Sequence, residues 1–584
     1  MKKKNRGIVL VISMMVMAVL LVVTGVYFMG LMAEKKSVDT EKGVLQALNL
    51  AEGGASHGLS ELRARITYLV NNLNNSTVRN RNQVDVDPLV FLRTYGVFGG
   101  TGSSPATFSL SADAADLGAD LINGSYQVNV SVTSAKDPEK ATNPDKINYF
   151  YNYTIQSTGR VSSPSPNLAK NIILTGSFNV SVIRANFSRF ALFTSHHRMP
   201  SGTTVWFTSN TNFTGPVHTN DRFSFANNPS AQFTEEVTQH ETRARFYNEG
   251  WPILADSDYN SYIDPNTGEE VILDKPTFNN GFLRGQDIIN LPSSVSQSDL
   301  KKEAMGTTND NFSVGIHVPN NGTSLTGGVY IKGNQGQSSD NAIINMAVGA
   351  NGPVYTIKQG TAGATTTITV NYAANSGIGS TTVQQGTSPA VTYSGLPDGM
   401  SNEGIIIYAN DDIGVTSGGN MVNGLSGVVQ ENTTVTVSSE KDIGITGNIV
   451  YEKDPSVAGN ENYANLLGIL SWGGDVRIGT TAPNDIQIDA VIMAPTGIFT
   501  VDEYNQGSPR GLVNLFGGSI TDFYGPFGTF SGTNPLSGYG RNFVYDVRML
   551  SGKNPPYFPY MDYFTCSTGG LSGTNVIKPL WQDQ

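Results

Sequence analysis

The sequence predicts a mainly β protein carried on one long N-terminal α-helix. A small antiparallel sheet follows the helix, and then a parallel β-helix-like (solenoid) domain. Three observations predict this order. An uncharged apolar run, Ile8 to Met32, passes without a proline into an amphipathic stretch reaching Leu73. Three runs between Gly124 and Val182 alternate polar and apolar residues, the period of a half-buried strand. Beyond Asn186, short Ile- and Val-rich segments are split by Gly, Asn and Asp. One of them, Asp412-Ile413-Gly414-Val415, recurs loosely at Asp442, Asp475 and Asp485, at intervals of 30, 33 and 10 residues.

The helix comes first. At 1.5 Å per residue, Ile8–Met32 is long enough to cross a hydrocarbon core of roughly 30 Å. Lys2, Lys3, Lys4 and Arg6 precede it, which holds that end in the cytoplasm and sends the rest of the chain across. A cleaved secretory signal has a shorter apolar region and a small-x-small cleavage site. A plain signal anchor is the other simple reading. Neither accounts for the stretch beyond Met32. There Val44, Leu48, Ala51, Ala55, Leu59, Leu62, Ile66 and Leu69 fall at three- and four-residue steps, an amphipathic helix that continues the membrane helix.

The basic leader ending at Gly7, the apolar run starting at Ile8 and the later Ala51-Glu52-Gly53-Gly54-Ala55 resemble the N-terminus of type IV pilin-like proteins, most closely the PilX-like minor pilins. The resemblance covers about the first 73 residues. It implies that a prepilin peptidase cuts between Gly7 and Ile8, that the helix packs against other pilins, and that a pilin-like sheet covers its second half. Most pilins carry Glu at the fifth mature position, and here that position is Ile12. The implied placement is a single pass through the inner (cytoplasmic) membrane, N-terminus cytoplasmic, with a periplasmic or extracellular head that can enter a pilus.

The sheet is read as three strands: Gly124 to Val132, Tyr149 to Ile155 and Ile172 to Val182. Pro88 to Tyr95 reads as a short apolar turn, and Phe98 to Pro105, Ser134 to Asp145 and Ser162 to Pro166 as loops. The segment Tyr153 to Arg160 contains an Ile-x-Ser-Thr-Gly strand end similar to those of PilX-like proteins and related pseudopilins. The expected division is therefore a leader over 1–7, a long helix over 8–73, a sheet region over 74–185 and a β-helix-like domain over 186–584. Within the last, Gly-, Thr- and Ser-rich residues 335–397 read as an exposed insertion, with Thr365 to Val370 and Ser380 to Val383 as hairpin strands. The Phe-, Tyr- and Pro-rich residues 545–584 read as a cap over the last coil. An antiparallel β-sandwich is the alternative to the solenoid.

Composition narrows the function classes. Charged residues are only 15% of the chain and its net charge is -11, with the one basic cluster in the leader, which disfavours nucleic-acid binding. A single cysteine, Cys566, excludes an internal disulfide and cysteine-based zinc sites. The stability of an exported chain must then come from burial and ladder hydrogen bonds. The region from about Ser188 to Pro559 resembles a family of uncharacterised bacterial domains of the DUF4900 type. The resemblance rests on Gly215–Asp221, Leu467-Gly468, Ile488–Ala494, Gly517–Ile520 and Tyr545–Pro559, and it implies no chemistry.

The one motif that could carry a site is Gly215-Pro216-Val217-His218-Thr219-Asn220-Asp221. His218 and Asp221 are of types that serve as acid and base or bind a metal, with Asn220 between them and His196-His197 upstream. The competing reading is structural: a turn in which His218 caps a carbonyl and Asn220-Asp221 close an Asx turn. No catalytic residue and no metal site is assigned, and no cofactor is expected beyond calcium held by the acidic loops Asp256–Asn260 or Asp264–Glu270. Stacked in register, Asp412, Asp442, Asp475 and Asp485 would form an acidic row of the kind β-helix polysaccharide enzymes use; the simpler account has each Asp bonding its own turn. Trp206, Trp251 and Trp472 could line a sugar-binding face or fill the core. The sequence thus favours a pilin-like structural protein over an enzyme acting on polysaccharide. Its partners would be other pilins, the lipid bilayer, the prepilin peptidase, and a surface glycan or protein bound by the head.

Overall fold

The computed structural model describes residues 6–74, 78–113, 115–116, 124–141, 146–161, 168–208, 211–226, 231–248, 251–531 and 534–569. Residues 1–5 of the leader, the predicted loop at 162–166 and residues 570–584 therefore lie outside the described residues. The chain forms two compact units, Met1–Arg184 with Tyr563–Gln584, and Ala185–Asp562.

The first unit is built on one continuous helix, α1 (Arg6–Asn74). Its first part is unburied and apolar, and it is long and apolar enough to cross a membrane. From Ala47 onward one face is buried: Ala47, Leu50, Ala51, Ala55, Leu62, Ile66, Leu69 and Leu73. The stripe keeps helical spacing, but its first half is mostly alanine, with Leu50 the one large side chain, because a sheet lies very close there. A Cβ on Gly54 would stand 2.3 Å from Ser157 Oγ, and one on Gly159 would stand 2.1 Å from the Ala47 carbonyl oxygen. Gly54 thus leaves room for the Ser157 and Tyr126 side chains, while backbone approaches backbone at Gly159, whose Cβ would also meet the Ala51 nitrogen.

The sheet has five strands. They are β1 (Ala106–Ala112), β2 (Gly124–Ala141), β3 (Lys146–Val161), β4 (Leu168–Asn186) and β5 (Tyr560–Gly569), in that spatial order. The first four form an antiparallel meander. Alternation along β3 places Ile147, Tyr149, Tyr151, Tyr153 and Ile155 in the core with the helix stripe. Thr565 Oγ1 donates to the Ile183 carbonyl at 3.3 Å and Gly569 lies beside Asn179, so β5 runs opposite to β4. Asn74, at the end of α1, clasps it from the other side: Cys566 N–H donates to Asn74 Oδ1 at 2.7 Å, and Asn74 Nδ2 to the Cys566 carbonyl at 3.2 Å.

Several expectations for this unit are corrected. Ser134 to Ala141 continues β2 instead of forming a loop, with two register shifts against β3 that absorb its irregular sequence. Ala106–Ala112 is a strand that the three-strand reading omitted. Pro88 to Tyr95 is an α-helix (α2), not a turn: Asp87 Oδ1 accepts from Leu89 N–H and Val90 N–H, and Pro88 occupies the first helical position, where its missing N–H costs nothing. The largest correction concerns the C-terminus. Residues 560–569 do not cap a β domain; they are the fifth strand of this sheet.

The second unit is dominated by parallel pairing. One ladder runs through Phe282–Leu283, Val237–Gln239, Val217–Thr219, Leu192–His196, Pro509–Phe523, Gln487–Ala494, Leu466–Ser471, Thr434–Ser439, Ile405–Ala409 and Val329–Lys332. The chain enters it in the middle, at Leu192, and builds toward Phe282. It then restarts at the far end, at Val329, and returns to close the seam where Ser519 pairs with Leu192. A second parallel set stacks Ala342–Ala347, Leu425–Val429 and Ile443–Tyr451, and the last strand also carries Val476–Ile478 and then Phe499–Val501. Strands such as Ile405–Ala409 and Leu466–Ser471 are buried at every position, as the near-continuous apolar runs of parallel strands require.

Residues 335–397 form an antiparallel meander of Ala342–Ala347, Val354–Gln359, Thr366–Asn371, Ser380–Gln385 and Val391–Ser394. Its first strand also pairs in parallel with Leu425–Val429, so the insertion begins inside the ladder and not outside it. The aromatic segment ending at Pro559 is not an end cap either. Pro555 to Phe558 lies against Gly404, Thr436 and Gly468, on three successive rungs, and so runs along the side of the ladder.

Candidate functional site

Val217–Thr219 is a short strand between Leu192–His196 and Val237–Gln239, which fixes where His218 points. Its ring is buried and stacked on Phe193, with centroids 5.2 Å apart. Asn220 Oδ1 accepts the Ile289 N–H at 2.9 Å while Asn220 Nδ2 donates to the Ile289 carbonyl at 2.8 Å. The atom facing His218 Nε2 at 3.0 Å is therefore an acceptor, and Nε2 carries the proton. Nδ1 then accepts from the Thr238 hydroxyl at 2.8 Å. Burial pushes the His218 ring down to about 4, so it is neutral with both nitrogens occupied.

This geometry holds chain together. His218 joins two rungs through Thr238 and fixes Asn220, and Asn220 clasps Ile289. Asp221 is not brought to His218; it faces Arg198 at 3.8 Å, and its N–H donates to Thr219 Oγ1. Gly215 is needed beneath the motif because a Cβ there would enter the Tyr545 ring at 2.3 Å. His197 is fully buried between Phe207, Phe223 and Tyr524, and burial pushes it down to about 3. His196 pairs with Asp522 at 2.9 Å on the surface.

The recurring aspartates do stack, and each bonds the next rung instead of its own turn. Asp412 Oδ1 accepts the Asp442 N–H at 3.0 Å, Asp442 Oδ1 the Asp475 N–H at 2.9 Å, and Asp475 Oδ1 the Ile498 N–H at 2.9 Å. Asp485 stands outside this row and accepts from Leu512 N–H. Burial, with the neighbouring Asp442 carboxylate, pushes Asp412 up to about 6. Arg477 lies across the row between Asp442 at 3.1 Å and Asp502 at 2.7 Å. The acidic loops do not converge: Asp258 pairs with Arg284, and Asp264 bonds the N–H of Asn266. Among the described residues no group of three His, Cys, Asp or Glu side chains is placed to hold a metal. Trp206 and Trp472 form no common face: Trp472 is a core residue donating to Ser438, and Trp206 packs edge-on against Tyr247. The side chain of Trp251 lies outside the described residues.

Residues 148–241 match the family model of a domain of unknown function, DUF4900. The match begins inside β3, 40 residues before the Ser188 start expected from the motifs (188 minus 148), and of those motifs it contains only Gly215–Asp221. No curated protein and no solved structure matches the chain.

Two features escaped sequence reasoning because their parts lie far apart in the chain. Lys301 Nζ bridges Asp310 and Glu440 at 3.0 Å each, with Lys332 and Tyr330 also on Asp310. Burial alone would raise the Asp310 carboxyl, but hydrogen bonds from Lys332, Tyr330 and Lys301 pull it down to about 2. The other feature is an open groove beside the insertion.

Proposed function

We propose that this protein is a membrane-anchored, minor-pilin-like structural protein that displays a large β-rich head. One observation carries the reading: α1 is unbroken from Arg6 to Asn74, its first part apolar and unburied, its second part seated on an antiparallel sheet. A helix with these two halves has two apolar environments to fill, lipid in the membrane and neighbouring helices in a fibre. The resemblance of Gly7-Ile8 and Ala51–Ala55 to PilX-like N-termini supports the same reading. It gives the inner membrane as location, a cytoplasmic N-terminus, and other pilins and the prepilin peptidase as partners.

The parallel ladders support reading the head as a solenoid of the β-helix type, closed along its seam by Ser519 and Leu192. We take the head to be a display module and not a catalyst. The stacked carboxylates that a polysaccharide-cleaving β-helix would present are here acceptors for backbone N–H groups.

The test is the mature N-terminus and the fraction in which the chain is found. A start at Ile8 and recovery in sheared surface fibres would support the proposal. An intact leader in cells with active prepilin peptidase, or retention wholly in membranes while other pilins shear off, would count against it.

A further inference from the structure

A groove of about 550 Å³ opens in the second unit between the insertion and the chain around residues 305–326. One wall is a sheet face. Ser380–Gln385 and Val391–Ser394 pair antiparallel with Val383 opposite Val391, which puts Val383, Gln385, Val391 and Tyr393 on a common side. Phe312, Ile316, His317 and Val318 line it as well, with Phe312 packed on His317 at 4.9 Å.

Its chemistry is specific in what it leaves out. In a chain of net charge -11, no residue lining this groove is Asp, Glu, Lys or Arg. The lining combines flat apolar side chains, Tyr393, Phe312 and Pro389, with amides and hydroxyls, Gln385, Ser388 and Thr326. Gln385 Nε2 donates to the Ile316 carbonyl at 3.1 Å, which holds this lining amide in place. The Tyr393 hydroxyl makes no hydrogen bond with another described residue. Rings that cover C–H faces, beside neutral donors and acceptors, suit a ligand that is both flat and rich in hydroxyls. The volume falls in the range of small-ligand sites. An anionic ligand would find no cation here, and a cationic one no carboxylate.

We propose that this groove binds a short stretch of neutral polysaccharide, with Tyr393 stacking on a sugar ring and Gln385 hydrogen-bonding its hydroxyls. The site lies wholly within the second unit, so it stands whether or not the helix enters a fibre.

The full chain in detergent micelles is titrated calorimetrically with neutral tetrasaccharides of glucose, mannose and N-acetylglucosamine. Tetragalacturonate and a capped peptide of alternating Thr and Val serve as controls. The expected result is saturable binding of at least one neutral sugar and none of the uronate. Tyr393→Ala should weaken that binding about tenfold, the size of one lost aromatic contact, and Gln385→Ala by a smaller factor. Both substitutions are near the surface, and an unchanged circular dichroism spectrum and melting point confirm that the fold is kept. The proposal is overturned if no neutral sugar binds at millimolar concentration, if the uronate or the peptide binds more tightly, or if Tyr393→Ala leaves sugar binding unchanged.

Discussion

The carboxylate of Asp442 accepts the backbone N–H of Asp475, 33 residues later, at 2.9 Å. Asp412 does the same for Asp442. Each aspartate therefore caps the rung above it, and Arg477 pairs with one member of the row, spanning Asp442 and Asp502. The arrangement uses acidic residues to satisfy backbone donors that a short strand leaves unpaired at its start.

Replacing Asp442 tests this role. Asp442→Ala removes the acceptor for Asp475 N–H and one partner of Arg477, and should cost about 2–4 kcal/mol in urea unfolding of the second unit. Asp442→Asn keeps an acceptor oxygen and should cost clearly less. Equal losses in the two variants would show that charge, and not the N–H acceptor, is what the position supplies.

The buried histidines set a pH dependence. His197 and His218 stay neutral in the folded chain down to about 3 and 4, while the unfolded ring takes a proton near 6.5. Their contribution is full above about 6.5 and is lost as pH falls toward 4, because the unfolded state binds the extra proton. Asp398, Asp412 and Asp489 act in the opposite sense. Burial raises each to about 6 from 3.8, so the folded state binds their protons first and gains stability as pH falls from 6 toward 4. The two effects oppose each other in that window. His218→Gln should therefore tilt the stability profile toward acid by up to about 1.4 kcal/mol per pH unit between pH 4.5 and 6. Denaturation midpoints at pH 4.5, 5.5 and 7 measure it.

Close approach of α1 to the sheet makes Gly159 intolerant of even one methyl group, since its Cβ would meet the Ala47 carbonyl and the Ala51 nitrogen. Gly159→Ala should destabilise the first unit by about 1–3 kcal/mol, although alanine suits a strand no worse than glycine. A neutral result in thermal unfolding would mean that the helix sits further from the sheet.

Ending the chain after Pro559 removes β5 and both hydrogen bonds between Asn74 and Cys566. It also leaves β4 as a bare edge. The truncated protein should expose the end of α1 and β4 to limited proteolysis while residues 192–544 keep their protection. If the cleavage pattern is unchanged, the fifth strand is dispensable.

Cys566 reports on the same contact. Burial pushes its thiol up to about 12, so it should be inert to a maleimide in the folded chain and should react fully in urea. Rapid labelling under native conditions would contradict a packed β5.

Local pattern alone disclosed the helix, three of the five sheet strands and the Ile- and Val-rich rungs. Helical spacing of Ala51, Leu62, Ile66 and Leu69, and period-two alternation along β3, are visible within about ten residues. The capped helix at Pro88 is signalled only by Asp87-Pro88, because its apolar run, Pro88 to Leu92, is short enough to read equally as a turn or strand. His218 stands out within its motif, but its role depends on Thr238 and Ile289, which no spacing connects to it.

Neighbours along the chain are enough to set most helix and strand segments, and to make the run past Arg6 apolar and uncharged as far as Met32. They do not set which strands meet. Folding took Tyr560–Gly569 back to the first sheet, seated Leu192 against Ser519, and turned a row of aspartates into backbone acceptors. Those pairings depend on burial and hydrogen-bond closure between residues far apart in the chain, in the first two cases by hundreds of positions, and no periodicity within one segment records them.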